Sequence, residues 1–203
     1  MVSTLPSEPG PAVSLRERKK ARTKAAIQRE ALALFRANGY ESTTVEQVAQ
    51  AAEVAVSTVF RYFPAKEDLV LSDDYDALLI DAFRSPPPGM RPVEAIRRGL
   101  RGVFADLTED EATAMRERAM LALAVPALRA ALIGQFADAI RLIAELVARQ
   151  SGQPPGEFAV HAKAGAIIGV MMSAEFYWVE HPEADLFTLL DDSLALLEAG
   201  LSV

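Results

Sequence analysis

Side chains with reactive or ligating chemistry are few in this chain and poorly grouped for it. Two histidines and no cysteine are present, so thiolate nucleophiles, disulfides and thiolate-bound metals are excluded. His161 and His181 stand 20 residues apart with no ligand pattern beside them, which suits structural or solvent-facing roles rather than a metal. Asp73, Asp74 and Asp76 read as a solvated acidic turn, not a carboxylate pair placed for acid–base work. No phosphate-cradling glycine loop and no nucleophile elbow occurs. The residues point away from an enzyme, and no catalytic residue, cofactor or metal site is expected. What remains is a set of cations, hydroxyls and aromatics between residues 16 and 66. It comprises the run Arg16, Arg18, Lys19, Lys20, Arg22 and Lys24, then Thr43-Thr44, then Ser57-Thr58 with Arg61-Tyr62. Such donors suit an anionic partner.

Charge distribution sharpens that reading. The chain of 203 residues carries a net charge of −7, at first sight unfavourable for nucleic acid. Residues 1–66, however, hold ten Lys/Arg against six Asp/Glu, a net of +4, while 67–203 hold 11 against 22, a net of −11. An electropositive head on an acidic body fits a DNA-binding domain, because the local field steers phosphate contact and the body repels DNA elsewhere. Ordinary charge scatter remains the alternative. With 51% hydrophobic residues the chain is globular, and the apolar excess needs a cavity or an oligomer interface. The N-terminus lacks a signal-peptide pattern and no apolar run approaches the 18 or so residues of a bilayer span, so a cytoplasmic location and no membrane partner are expected.

These side chains need elements to hold them. Residues 1–14, rich in Pro and Ser, read as a disordered tail. Ile27, Ala31, Leu34 and Phe35 recur at helical spacing within 15–37, and Asn38-Gly39 supplies a left-handed cap. Thr43 with Glu46, or Thr44 with Gln47, forms a capping box opening a second short helix to Ala52. A turn at Glu53-Val54-Ala55 leads to a third helix over 56–63, stopped by Pro64. A fourth is expected from Lys66 to about Arg84. After the break 85–92, helices are predicted at 93–107, 110–124, 126–150, 156–180 and 184–200, and no segment alternates as a strand does. The fold class is all-α: a helix-turn-helix domain over 15–66 and a helical domain over 67–203, about nine helices in all.

Two short helices joined by a tight turn, after a longer one, describe a helix-turn-helix. One face of the third helix packs inward through Val59 and Phe63, with Val54 below, leaving Ser57, Arg61 and an edge of Val56 outward. A small three-helix bundle without a nucleic-acid partner has the same spacing. The residues themselves go further. Ala31–Tyr40, Thr43-Thr44-Val45, Val48–Val54, Ser57–Phe63 and Lys66–Leu69 together resemble the TetR family of regulators over about residues 22–70, in order and in spacing.

That resemblance implies roles. Thr43 or Thr44 meets a backbone phosphate at the start of the second helix; Thr58 and Tyr62 bind phosphate, and Lys66 anchors the opposite one. Val56, Ser57, Phe60 and Arg61 take the groove-facing positions. Arg61 is the best candidate for direct reading, since a guanidinium bonds guanine O6 and N7 together, worth about 1–3 kcal/mol. Three positions depart from the family pattern: Glu53 stands for the usual turn glycine, Ala55 for a capping Ser or Thr, and Phe60 for tyrosine. The run 16–24 is either a solvated helix start or an arm reaching DNA.

In the body, Phe83, Phe104, Met115, Met120, Phe136, Met171, Met172 and Phe176 are candidate linings of an apolar effector pocket, although such a stripe alone also describes plain core. Ala162, Gly165, Gly169 and Ser173 fall at helical spacing, and interior glycines cost about 1 kcal/mol each against alanine. Close approach of another helix explains them, and with Leu190, Leu194 and Leu197 they form the dimer face the family implies. The expected function is a dimeric, ligand-responsive regulator of a double-stranded operator, a repressor on the family pattern, released by a small apolar or amphipathic effector. The fourth helix would carry the signal, about 25 Å along by helix rise. A ligand-independent architectural DNA binder, and a helical small-molecule binder with a vestigial head, are the alternatives.

Overall fold

A computed structural model of the chain describes residues 15–72, 79–80, 89–105 and 107–200. Every regular element among them is helical: α1 (Leu15–Asn38), α2 (Val45–Ala51), α3 (Val56–Tyr62), α4 (Asp68–Leu71), α5 (Pro92–Phe104), α6 (Glu109–Ala124), α7 (Pro126–Ser151), α8 (Phe158–Glu180) and α9 (Leu186–Glu198). The chain divides after Leu69 into two compact units, three residues past the boundary read from sequence. The tail 1–14 and Phe83 lie outside the described residues. So does most of the expected fourth helix, which is described at Asp68–Leu71 and as helical at 79–80.

The first unit is built by α1, α2 and α3 around one core. Ile27, Ala31 and Phe35 of α1, Val48 and Ala49 of α2, Val59 of α3 and Phe63 just after it are all buried. Each large side chain removed from water contributes roughly 1.5–3 kcal/mol. Gly39, at φ +84°, ends α1 and donates its N–H to the Phe35 carbonyl at 2.9 Å. The same N–H with a side chain at this φ would strain the turn. Of the two possible capping boxes, the one that forms is Thr44 with Gln47: the Gln47 N–H reaches Thr44 Oγ1 at 3.3 Å and the Thr44 N–H reaches Gln47 Oε1 at 2.8 Å.

The second unit packs α8 between α7 and α9, with α5 and α6 covering them. Ile96 and Leu100, Ile143 and Val147, Ile167 and Trp178, and Leu186, Leu190 and Leu194 share one buried cluster. Val125 and Pro126 turn α6 into α7 through 107°. Thr108 caps α6 with Glu111, and α5 ends at Phe104, three residues before the expected end at 107. No single helix among the described residues is long and apolar enough to cross a membrane. Nor does any group of three or more His, Cys, Asp or Glu gather among them to hold a metal ion.

Candidate nucleic-acid interface

The outward face of α3 is where the first unit presents its donors. Val59 and Phe63 are each 1% exposed and pin the helix from within. Ser57, Phe60 and Arg61 lie on the solvent side, while Val56, Thr58 and Tyr62 sit at its margins, half-buried. Arg61 makes no ion pair among the described residues; its guanidinium rests 5.2 Å from the Tyr62 ring. A stacked guanidinium keeps its in-plane donors available. Phe60 is 45% exposed, an uncommon position for a large apolar ring and a suitable contact for a thymine methyl.

The turn before α3 is strained. Glu53 has φ +55°, the one non-glycine residue in the left-handed region among the described residues. Ala55, the N-cap of α3, offers no side-chain hydrogen bond, so the first-turn N–H groups of α3 keep their donors unused by a cap.

The two threonines before α2 separate cleanly. Thr43 is 1% exposed, and its hydroxyl donates to the Gly39 carbonyl at 2.9 Å. A hydroxyl spent on the α1–α2 turn is not one that meets phosphate, so the Thr43 assignment is corrected. Thr44 is exposed at the N-cap and keeps the role open. Lys66 is also less free than its type suggests. Its Nζ donates to the Tyr40 carbonyl at 2.6 Å and stands 4.2 Å from the Tyr40 ring centroid. An ammonium has three donors, so this contact orients Lys66 and leaves two. The Tyr40 phenol is pushed well above its ordinary pKa, chiefly by burial and further by Glu67 and Glu41, and stays neutral throughout the physiological range.

One relationship escaped sequence reasoning. Lys24 Nζ lies 5.8 Å from the Phe63 ring centroid, and Gln28 Nε2 donates to the Leu69 carbonyl at 3.3 Å. Residues 20, 24 and 28 share one line on α1, so this side of α1 passes the C-terminal end of α3 with Lys20 one turn beyond. Lys19, Lys20 and Arg22 are exposed and make no ion pair among the described residues. The i, i+4 spacing was visible in the sequence; the helix it lies beside was not.

A basic α1 and a short, outward, donor-bearing α3 over a shared core are the arrangement of a helix-turn-helix reader, and known proteins match it. Residues 27–72 fit the family model for bacterial regulatory proteins of the tetR family, and residues 90–202 fit that for the MftR C-terminal domain. The chain belongs to the TetR family. TcmR of Streptomyces glaucescens, an HTH-type transcriptional regulator, is 41% identical over 108 residues, 52% of this chain and 46% of TcmR. The aligned part thus spans about half the length of that relative. MftR of Mycobacterium tuberculosis, named as a regulator of mycofactocin biosynthesis, is 28% identical over 91% of this chain and 93% of its own. Thermus thermophilus FadR, a TetR-family repressor solved with lauroyl-CoA, superposes at a TM-score of 0.57 with 28% identity, covering 89% of this chain and 95% of FadR. As a TetR-family protein the chain is a DNA-binding transcriptional regulator, a class distinct from enzymes.

In the second unit the expected pocket residues do not converge on one cavity. Met115 and Phe176 line a hollow of about 140 Å³ with Val70, Leu71, Leu123 and Val179. Phe104, Phe136, Met171 and Met172 pack, half-buried, against the main core. Met120 is 52% exposed and is corrected: five residues past Met115, it lies about 140° round the helix. The expected dimer face divides as well. Leu190 and Leu194 are buried inside their own protomer and are corrected, because the stripe they share with Leu186 faces α8. Leu197 packs partly against the same core. On α9 it is Leu196, 57% exposed, that faces outward. On α8, Ala162, Gly169 and Ser173 are exposed and Gly165 is half-buried. A Cβ built on Gly165 or Gly169 meets nothing within 4 Å.

Proposed function

We propose that this TetR-family chain acts as a cytoplasmic homodimeric repressor that leaves a palindromic operator when a small apolar or amphipathic effector binds its C-terminal unit. The observation that carries the DNA-binding part is the outward face of α3, where Ser57, Phe60 and Arg61 are exposed while Val59 and Phe63 are buried. Arg61 reads a base, and Thr44, Thr58, Tyr62 and Lys66 fix register on phosphates. Lys19, Lys20 and Arg22 lengthen the phosphate track beyond α3, which adds affinity and salt dependence without base preference.

The spacing of operator half-sites supports dimerisation. Two half-sites one helical turn apart need two recognition helices about 34–36 Å from each other. The open glycines of α8, with the exposed Phe158, Phe176 and Tyr177 on the same helix, supply a face on which two copies of α8 approach closely. An effector class is supported by FadR, which was solved with lauroyl-CoA, and by the small apolar hollow that Met115 and Phe176 line with Leu123, Leu132 and Val179. The switch needs only that the effector prefer one of two arrangements of the dimer.

Fluorescence anisotropy on the DNA flanking the chain's own gene tests this reading. Expected are saturable binding to a two-fold site and a log–log salt slope of about −0.9 for each phosphate neutralised. No binding in dilute buffer rejects the regulator. Operator affinity unchanged across saturating apolar and acyl probes rejects the switch alone.

A further inference from the structure

The outward surface of α3 is sorted by chemistry. Ser57 and Arg61 stand four residues apart, and so do Val56 and Phe60. Residues at i and i+4 share a face of a helix, and adjacent residues point about 100° apart. A polar line, Ser57–Arg61, therefore runs beside an apolar one, Val56–Phe60. The inward side of the same helix is already occupied, since Val59 and Phe63 are buried. Phe60 is left exposed and Val56 is half-buried. A large ring in water forgoes the gain of burial, and only an apolar surface on the bound partner restores it.

The major groove offers one apolar group of that kind. Thymine carries a methyl at C5, while the other readable groups on the base edges are hydrogen-bond donors and acceptors. A phenyl ring has no conventional donor or acceptor, so Phe60 does not discriminate the O4 of thymine from the N4 amine of cytosine. It discriminates only the presence of the C5 methyl, and the same holds for Val56. The two side chains are about 6 Å apart along the axis by helix rise, close to two base steps of about 3.4 Å.

We propose that Val56 and Phe60 form a reader of pyrimidine C5 methyl groups, so that operator affinity follows the methyl rather than the thymine base that usually bears it. Phe60, the more exposed and larger, carries most of the effect, and Val56 meets a second pyrimidine of the same half-site. A 5-methylcytosine at either position binds as a methylated pyrimidine. Methylation of an operator cytosine there strengthens the complex. The proposal rests on the reading of α3 as the recognition helix, and the experiment separates the two.

The full chain is measured by fluorescence anisotropy on a two-fold operator selected from random duplexes. Each thymine is replaced, in both half-sites together, by deoxyuridine, which removes the methyl and keeps every hydrogen-bonding group. One or two positions are expected to respond, by about fourfold per methyl and so about 15-fold for the symmetric pair. At the strongest position a 5-methylcytosine–guanine pair is expected to bind about 15-fold more tightly than a cytosine–guanine pair, which differs by the same methyl. Phe60→Ala is expected to shrink both differences there to under about twofold, with the fold intact by circular dichroism. Val56→Ala is expected to act at the weaker position alone. No response to deoxyuridine, equal binding of the methylated and plain cytosine pairs, or responses of full size in Phe60→Ala overturns the methyl reader. If Arg61→Ala still weakens the operator in that event, α3 remains the recognition helix. If neither Arg61→Ala nor Phe60→Ala changes affinity, or no operator can be selected, both readings fall.

Discussion

Arg97 and Asp191 meet as a bidentate pair with both N···O distances at 2.7 Å, although 94 residues separate them in sequence. The pair ties α5 to α9, and Glu198 adds a third contact from the same helix at 3.2 Å. The hydrogen bonds from Arg97 hold the Asp191 carboxyl below its ordinary pKa, against the opposing effect of burial. The depressed folded value means that Asp191 contributes stability in full above its unfolded pKa, near pH 4. That contribution disappears as pH falls through the folded value. Asp191→Asn is expected to cost about 1 kcal/mol at neutral pH. It is also expected to flatten the acid limb of the stability profile, measured by urea melts between pH 3 and pH 7. An unchanged acid limb rejects the linkage.

Arg61 and the α1 cations make separable predictions. Arg61→Ala is expected to cost about 1–3 kcal/mol of operator affinity and to relax preference at one base pair in each half-site. Lys19→Ala with Lys20→Ala is expected to weaken all sequences alike and to lower the magnitude of the salt slope by about 0.9 for each lost phosphate contact. Anisotropy on an operator and its single-base variants reads both. A base-specific effect of the lysine pair, or a uniform one for Arg61, reverses the assignment.

Glu53 at φ +55° holds a side chain where glycine sits without strain. Left-handed backbone costs an ordinary residue about 1–2 kcal/mol, partly offset by the greater unfolded freedom of glycine. Glu53→Gly is therefore expected to raise stability by up to about 1 kcal/mol in thermal or urea unfolding. Ala55→Ser supplies the missing cap of α3 and is expected to add about 0.5–2 kcal/mol. A loss of stability in either variant would mean that the turn relaxes into another conformation.

Gly169 decides between two physical readings of α8. If the face stays in water, leucine there costs nothing in packing and gains helix propensity of somewhat under 1 kcal/mol. If a second copy of α8 lies against it, the same Gly169→Leu change forces the helices apart. Sedimentation equilibrium is expected to show a weakened dimer with an intact fold by circular dichroism. A dimer of undiminished affinity places the interface elsewhere.

Local chemistry made much of this protein readable from its residues. Gly39, the Thr44–Gln47 box and Pro126 mark helix ends within a few residues, because capping and proline act over one turn. The inward roles of Val59 and Phe63 followed from their spacing in a short helix, and the stretch 22–70 carried the family. Tertiary structure alone decided which of two adjacent groups faces inward: Thr43 rather than Thr44, Leu194 rather than Leu196, Met115 rather than Met120. Periodicity gives the angle between residues on one helix but not the direction in which the partner helix lies. For the same reason the pairing of Arg97 with Asp191 and the line of Lys24 beside Phe63 appear only once distant segments are brought together.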